Sequence, residues 1–429
     1  MGHSRVSSKQ AYLDLQKRLD DNVTGAPASP TFMKILKLLY TPREAELAAH
    51  LPTVPTSLEK LARELDVPAR ELDKQLTAMA QRGVVIDLSR GDKRYFSLPP
   101  VVIGFFEYTF MRTRDDVPLA ELAKLFDAYM HEDDSFARSV FQGQTQLGRA
   151  LIREEVLPEG DDYSEVLDWE RASEVLGEAS AFAVSLCSCR HKAMHLDKAC
   201  ARPMETCLTL NMGAETMIHM GTARRISRSE AFDILAQSKE AGLAQVVDNV
   251  QREPSYICNC CGCCCGMMQA IRTFDIRNAI VTSNWLMHAD RATCRGCAKC
   301  VKACPVNAIK LVVQKADGKN RGWVEIDETL CLGCGVCASF CDKGALQVEP
   351  RAQRVYTPET MYDRVVAMAL ERGKLADLIF AEPEKLNQRA LKRIIQVVEH
   401  SSPFQAALAI APLKSAFLEG IVRAAKATA

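Results

Sequence analysis

Apolar residues recur at helical spacing near both ends of the chain and break into shorter runs in between. Residues 1–22 carry polar positions around a thin apolar stripe, which predicts an amphipathic helix. Further on, Leu58, Leu61 and Leu65 line one helix, Asp66-Val67-Pro68 turns the chain, and Leu72, Leu76 and Met79 line the next, which Gly83 ends. Residues 84–88 and 95–98 then read as a hairpin around Arg90-Gly91-Asp92. Between 105 and 186 the period is helical, with Leu119, Leu122, Leu125 and Phe126 on one face and Asp161-Asp162 in a loop. Residues 227–243 predict another helix, with Ser229 as its cap and Gly242 as its stop. After Pro358 amphipathic helices return, with Val365, Met368, Leu375 and Leu378, then Ile394, Ile395 and Val398, on their apolar faces.

Helix, turn, helix and hairpin over 31–99 make a winged-helix-like order, so charge decides whether DNA is its ligand. From 57 to 82, five basic residues (Lys60, Arg63, Arg70, Lys74, Arg82) meet five acidic ones (Glu59, Glu64, Asp66, Glu71, Asp73). A groove reader needs a positive surplus, so DNA is not the expected partner. The whole chain is also balanced, 54 basic against 54 acidic residues, which gives no global field for nucleic acid or anionic lipid. Aromatic residues are 6%, thin for a ligand-stacking surface. No uncharged apolar run is long enough to span a bilayer; the best, 404–418, is interrupted by Pro412 and Lys414. With no apolar leader over 1–22, the expectation is a cytoplasmic protein.

Cysteine changes the picture most. All 18 cysteines lie between Cys187 and Cys341, in groups of four, six and eight, where cysteine used as core filler would be scattered. A non-secreted chain points to metal-bound thiolates rather than disulfides. Cys294, Cys297, Cys300 and Cys304, followed by Pro305, spell C-x2-C-x2-C-x3-C-P, the run that binds iron–sulfur cubanes. Cys331, Cys334, Cys337 and Cys341 repeat the spacing 37 residues later, as Asp327, Ala345 and Leu346 repeat Asp290, Ala308 and Ile309. Short loops with a cysteine every third residue can wrap three corners of a cubane, and Gly296, Gly333 and Gly335 relieve the crowding there. Paired structural zinc sites are the weaker alternative.

These runs resemble bacterial-type two-cluster ferredoxins over about residues 286–350. That resemblance implies a crossed ligand pattern. One 4Fe–4S cluster would take Cys294, Cys297, Cys300 and Cys341, and the other Cys331, Cys334, Cys337 and Cys304. Two departures stand out. Asp342 replaces the second proline and puts a carboxylate beside a ligand, which is expected to lower the potential there. The longer stretch between the runs, with Val312, Val313, Asp317-Gly318, Trp323 and Val324, predicts an added hairpin.

Upstream, Cys258, Cys260, Cys261, Cys263, Cys264 and Cys265 crowd into eight positions, expected as a tight irregular loop with Gly262 and Gly266 supplying unusual dihedrals. Cys187, Cys189, Cys200 and Cys207 form C-x-C-x10-C-x6-C, with His191 and His195 four apart, a spacing as common on a solvated helix face. A subset of these ten thiols is a candidate additional centre. Further iron–sulfur clusters are the first reading, a structural zinc or mixed site the second, and redox-active thiols the third.

Leu98-Pro99-Pro100, Cys187-Ser188-Cys189-Arg190-His191, Glu205-Thr206-Cys207, Val247-Asp248-Asn249-Val250 and the six-cysteine run together resemble a poorly characterised family of bacterial and archaeal 4Fe–4S binding proteins. In that family a winged-helix segment precedes a Cys-rich region and a dicluster ferredoxin. The resemblance covers most of 31–350 and implies electron transfer without naming a reaction.

The combined expectation is an α+β multidomain chain: an N-terminal helix (1–30), a winged-helix-like module (31–104), a mainly helical Cys-rich domain (105–285), a ferredoxin-like dicluster domain (286–350) and a C-terminal helical segment (351–429). Its function is expected to be anaerobic iron–sulfur electron transfer, with a redox protein or an oxidoreductase subunit as partner. A reductase acting at the Cys-rich centre and a redox-sensing regulator using the winged helix are the alternatives. Gly-x-Gly-x-x-Gly and Walker loops are absent from the sequence, which gives no case for nucleotide or flavin. Oligomeric state, electron donor and acceptor have no signature in the sequence.

Overall fold

The structure is a computed structural model that describes residues 7–157, 168–316 and 319–379. The expected Asp161-Asp162 loop, the Asp317-Gly318 turn and the helix faces at Ile394, Ile395 and Val398 lie outside these residues. The chain divides into two compact units, Met1–Phe106 with Arg138–Thr145 and Pro358–Ala429, and Glu107–Ala137 with Gln146–Thr357.

In the first unit the helix Ser8–Asp20 starts where the Ser7 hydroxyl accepts from the Gln10 N–H, and it buries Tyr12, Leu15 and Leu19. Helix Pro42–Ala49 carries a full capping box between Thr41 and Glu44. Strand β1 (Thr56–Ser57), helices Leu58–Glu64 and Ala69–Gln81, and strands β2 (Ile86–Arg90) and β3 (Lys93–Ser97) follow. They form an antiparallel sheet of order β1-β3-β2, with the expected hairpin present but its strands reaching further into the turn, so that Arg90 pairs with Lys93. Arg94 bonds Asp73, Asp87 and Thr77, locking β3 onto the Ala69–Gln81 helix. At the far end of the chain, Glu371 at the end of the Met361–Glu371 helix accepts from the backbone N–H groups of Gln144 (2.8 Å) and Thr145 (2.7 Å).

The second unit holds a feature that the helical reading of 105–285 omits. Strands β4 (Gly148–Ala150), β5 (Phe182–Leu186), β6 (Glu205–Leu210), β7 (Arg224–Arg225), β8 (Ala244–Asp248) and β9 (Tyr256–Cys260) form one antiparallel sheet of order β4-β8-β9-β6-β5-β7. One face packs Phe182, Val184, Leu208, Leu210, Val247 and Ile257 against Val175, Leu176 and Leu235 of the Ala172–Glu178 and Arg228–Glu240 helices. The Arg228–Glu240 helix is capped by Ser227, not Ser229, because the Ser227 hydroxyl accepts from the Glu230 N–H. The opposite face carries small residues, Ala183 against Ala214, and, by the two-residue period of strands, Cys207, Cys258 and Cys260. Registers pair Ser185 with Cys207, and Leu208 with Ile257.

The remaining strands are β10 (Trp285–Ala289), β11 (Ile309–Ala316), β12 (Lys319–Ile326) and β13 (Leu346–Pro350). β10 pairs with β13, and β11 pairs with β12 as the expected hairpin. No helix among the described residues is long and apolar enough to cross a membrane.

Candidate metal centres

The two ferredoxin-like runs are drawn together by the β10–β13 pair, which joins the chain just before the first run to the chain just after the second. Cys304 lines a cavity with Cys331, Cys334 and Cys337, closed by Met287, Val306, Ile309 and Leu332. Cys300 lies within electrostatic reach of Cys294 and Cys341. The fourth cysteine of the first run therefore sits with three cysteines of the second, and Cys341 lies near Cys300 of the first. Burial pushes the Cys334 thiol up to about 12 and raises Cys337 and Cys304 as well. Thiols so placed stay protonated until a metal displaces the proton. The Val336 N–H bonds Cys334, and the Val306 and Ala308 N–H groups bond Cys304, which suits sulfur ligands of a negatively charged cluster.

The loop of the second run fits this task only because two glycines are present. Gly333, at φ +67°, leaves no room for a Cβ, which would lie 2.0 Å from the Trp285 carbonyl oxygen. Gly335, at φ +74°, packs against Val156 and Arg153. Arg153 is 2% exposed; its backbone N–H bonds the Cys334 carbonyl at 3.2 Å and its guanidinium reaches Ser339 at 2.8 Å. Arg351 donates to the Cys331 carbonyl at 2.6 Å. Neither arginine was singled out from the sequence, because each lies outside the cysteine runs. Asp342 pairs with Lys299 at 2.5 Å across the two runs, so the charge expected to bear on its neighbouring ligand is largely offset.

The other ten thiols gather where β5 and β9 end and β6 begins. The six-cysteine run is not a loop throughout. Cys258 and Cys260 belong to β9, Cys261 to Cys264 turn, and Cys265 caps the Gly266–Phe274 helix. Nor does Gly262 or Gly266 take a positive φ. Gly262 is required by proximity, since a Cβ there would stand 2.2 Å from the Pro305 carbonyl oxygen. The Cys-rich turn thus lies directly on the residue after Cys304.

The ten divide into two groups. Cys207 donates to Cys258 and Cys189 to Cys265, with the single Cys260 thiol proton shared between them, so both sulfurs are held well below the ordinary thiol range. Cys187, the cap of the Ser188–Met194 helix, faces Cys258, and burial pushes it up to about 12. Backbone N–H groups also reach these sulfurs, from Met267 and Met268 to Cys265, from Gly266 to Cys189, and from Arg190 to Cys187. The second group is Cys200, Cys261, Cys263 and Cys264, whose Sγ atoms all lie within 4.8 Å of one another. The Cys264 thiol, donating to Cys261, holds Cys261 down to about 4.

Arg190 stands between the groups, fully buried, donating to the Asn259 carbonyl (3.1 Å), the Cys261 sulfur (3.8 Å) and the Thr206 hydroxyl. Burial works against its charge, but Cys187 and Cys261 outweigh that and raise its pKa above the ordinary arginine value. A buried guanidinium facing sulfur fits thiolates, the form metal binding enforces. His191 is 1% exposed and bonds the Phe110 carbonyl through Nδ1 at 2.7 Å, which overturns the solvated-face reading for that residue.

No curated protein matches the chain. Residues 293–345, the segment spanning both ferredoxin-like runs, match the 4Fe-4S dicluster domain family.

Proposed function

We propose that the protein is an electron carrier in which Cys294, Cys297, Cys300 and Cys341 hold one 4Fe–4S cluster, and Cys331, Cys334, Cys337 and Cys304 hold a second. The single observation that carries the reading is the cavity that gathers Cys304 with the three cysteines of the other run. When bound, each cluster supplies one-electron redox chemistry. The residues assign different tasks to the two sets. Cys297 is exposed, and Cys294 and Cys341 are half-buried, so this set faces solvent and can meet a redox protein or an oxidoreductase subunit. Cys331, Cys334 and Cys337 are buried, which keeps water from the second set.

The Cys187, Cys189, Cys207, Cys258, Cys260 and Cys265 group is read as ligands of an additional centre, with Arg190 balancing thiolate charge. The turn that continues from Cys260 packs Gly262 on Pro305, which links this region to the dicluster segment through bonded and packed atoms. The segment 31–104 is read as a winged-helix-like docking module, since Arg94 is committed to Asp73 and Asp87. Localisation in an anaerobic cytoplasm belongs to the same reading.

The test is electron paramagnetic resonance of the full chain purified without oxygen and reduced stepwise. The reading expects spin-coupled signals of two reduced cubanes, and Cys304→Ser should abolish the coupling. Absence of any cubane signal in wild-type protein with a full complement of iron would refute it.

A further inference from the structure

The four-thiol group differs from the rest of the cysteines in a way that bears on what it binds. The Cys200 sulfur lies 3.7 Å from that of Cys261 and 4.0 Å from that of Cys264, and Cys263 and Cys264 are 3.7 Å apart. In a tetrahedral tetrathiolate with metal–sulfur bonds of about 2.3 Å, the sulfur–sulfur edge is about 3.8 Å. The terminal thiolates of a cubane bond four different irons and must stand farther apart than thiolates sharing one ion.

We infer that Cys200, Cys261, Cys263 and Cys264 form a closed tetrahedral site for a single divalent thiophilic ion, zinc or ferrous iron, separate from any iron–sulfur cluster. This rests on the reading that the Cys-rich region carries metal. Its chemistry agrees with the surroundings. Four thiolates around a divalent ion leave a net charge of −2, and two cations stand against them: Arg190 Nη1 lies 3.8 Å from Cys261 Sγ, and Arg202 Nη1 lies 4.0 Å from Cys263 Sγ. Four protein sulfurs leave no position for substrate, so the site is structural or, with iron, a one-electron relay. Structurally it would staple the loop bearing Cys200 to the turn after β9, which lies against Pro305.

The full chain is purified anaerobically and its zinc, iron and acid-labile sulfide are counted for wild type, Cys263→Ser and Cys264→Ser. Cys263 is exposed, so the first substitution perturbs folding least. The expected result is the loss of about one ion per chain, with sulfide unchanged; the element lost distinguishes zinc from iron. As a measurement free of substitutions, wild-type protein produced with cobalt should show the absorption of tetrahedral cobalt thiolate. Loss of about four irons together with sulfide, or no change in metal content, would overturn the proposal. A wild-type protein short of the iron and sulfide of two cubanes would instead refute the dicluster reading, whatever the variants do.

Discussion

Replacing Arg190 with methionine separates a metal-thiolate account of the Cys-rich region from one of neutral thiols. Methionine keeps much of the length and removes the charge. The guanidinium is fully buried, and the sulfurs facing it are Cys187, Cys261 and Cys260. If those sulfurs are metal-bound thiolates, the substitution strips the partner from a buried charge, which costs about 3–5 kcal/mol. At about 1.4 kcal/mol per decade, metal retention against a chelator should weaken by at least about 100-fold. In a unit of this size, each kcal/mol shifts the melting temperature by about 2–4 °C, so the metal-loaded protein should melt about 6–20 °C lower. In metal-stripped, reduced protein the loss should be smaller, because Cys187 is then protonated and Cys261, held down to about 4, is the thiolate left facing the guanidinium. Arg190→Lys should recover part of the loss, since it keeps the charge without the fork that reaches both Asn259 and Thr206. The assay is a chelator titration with thermal melts of loaded and stripped protein. Equal metal retention and equal melting in wild type and Arg190→Met would refute the reasoning.

Other substitutions probe other joints. Gly262→Ala forces a methyl into the Pro305 carbonyl and should destabilise the second unit by about 1–3 kcal/mol, seen as a lower melting temperature. Asp342→Asn leaves Lys299 unpaired beside the first thiol set and should raise the reduction potential measured there; an unchanged or lower potential would contradict the charge argument. Asp127, held well below the ordinary carboxylate range by His131 and then by Lys192, contributes stability that is complete above its unfolded pKa of about 3.9 and is lost as pH falls toward the folded value. The gap in melting temperature between wild type and Asp127→Asn should therefore be largest near neutrality and shrink below about pH 4.

The parts of the molecule legible in sequence are those where one short segment does the whole job. The two cysteine runs, the β11–β12 hairpin and the Leu58–Glu64 and Ala69–Gln81 helix pair each show their own spacing. The six-stranded sheet escaped because its strands lack the alternation that marks one wet face. All five residues of β8 are buried, as are four of five in β5, so both read as plain apolar runs. The division of ten thiols into six and four was also invisible, because Cys200 reaches its partners from 61 residues upstream of Cys261. Gly262 was noticed for the wrong reason, since only the fold brings Pro305 against it. Arg153, which is buried, and Arg351, which is half-buried, look like ordinary surface arginines until the fold places them beside the cysteine runs.

The central claim is that two complete cubanes sit on crossed ligand sets. Its most direct test is the iron and sulfide content of anaerobically purified Cys341→Ser beside wild type. Wild type should hold at least about eight irons and eight sulfides. The variant should lose the iron and sulfide signature of the set containing Cys294, Cys297 and Cys300 while the set containing Cys304 stays intact. Loss confined to the Cys331, Cys334 and Cys337 set would contradict the account.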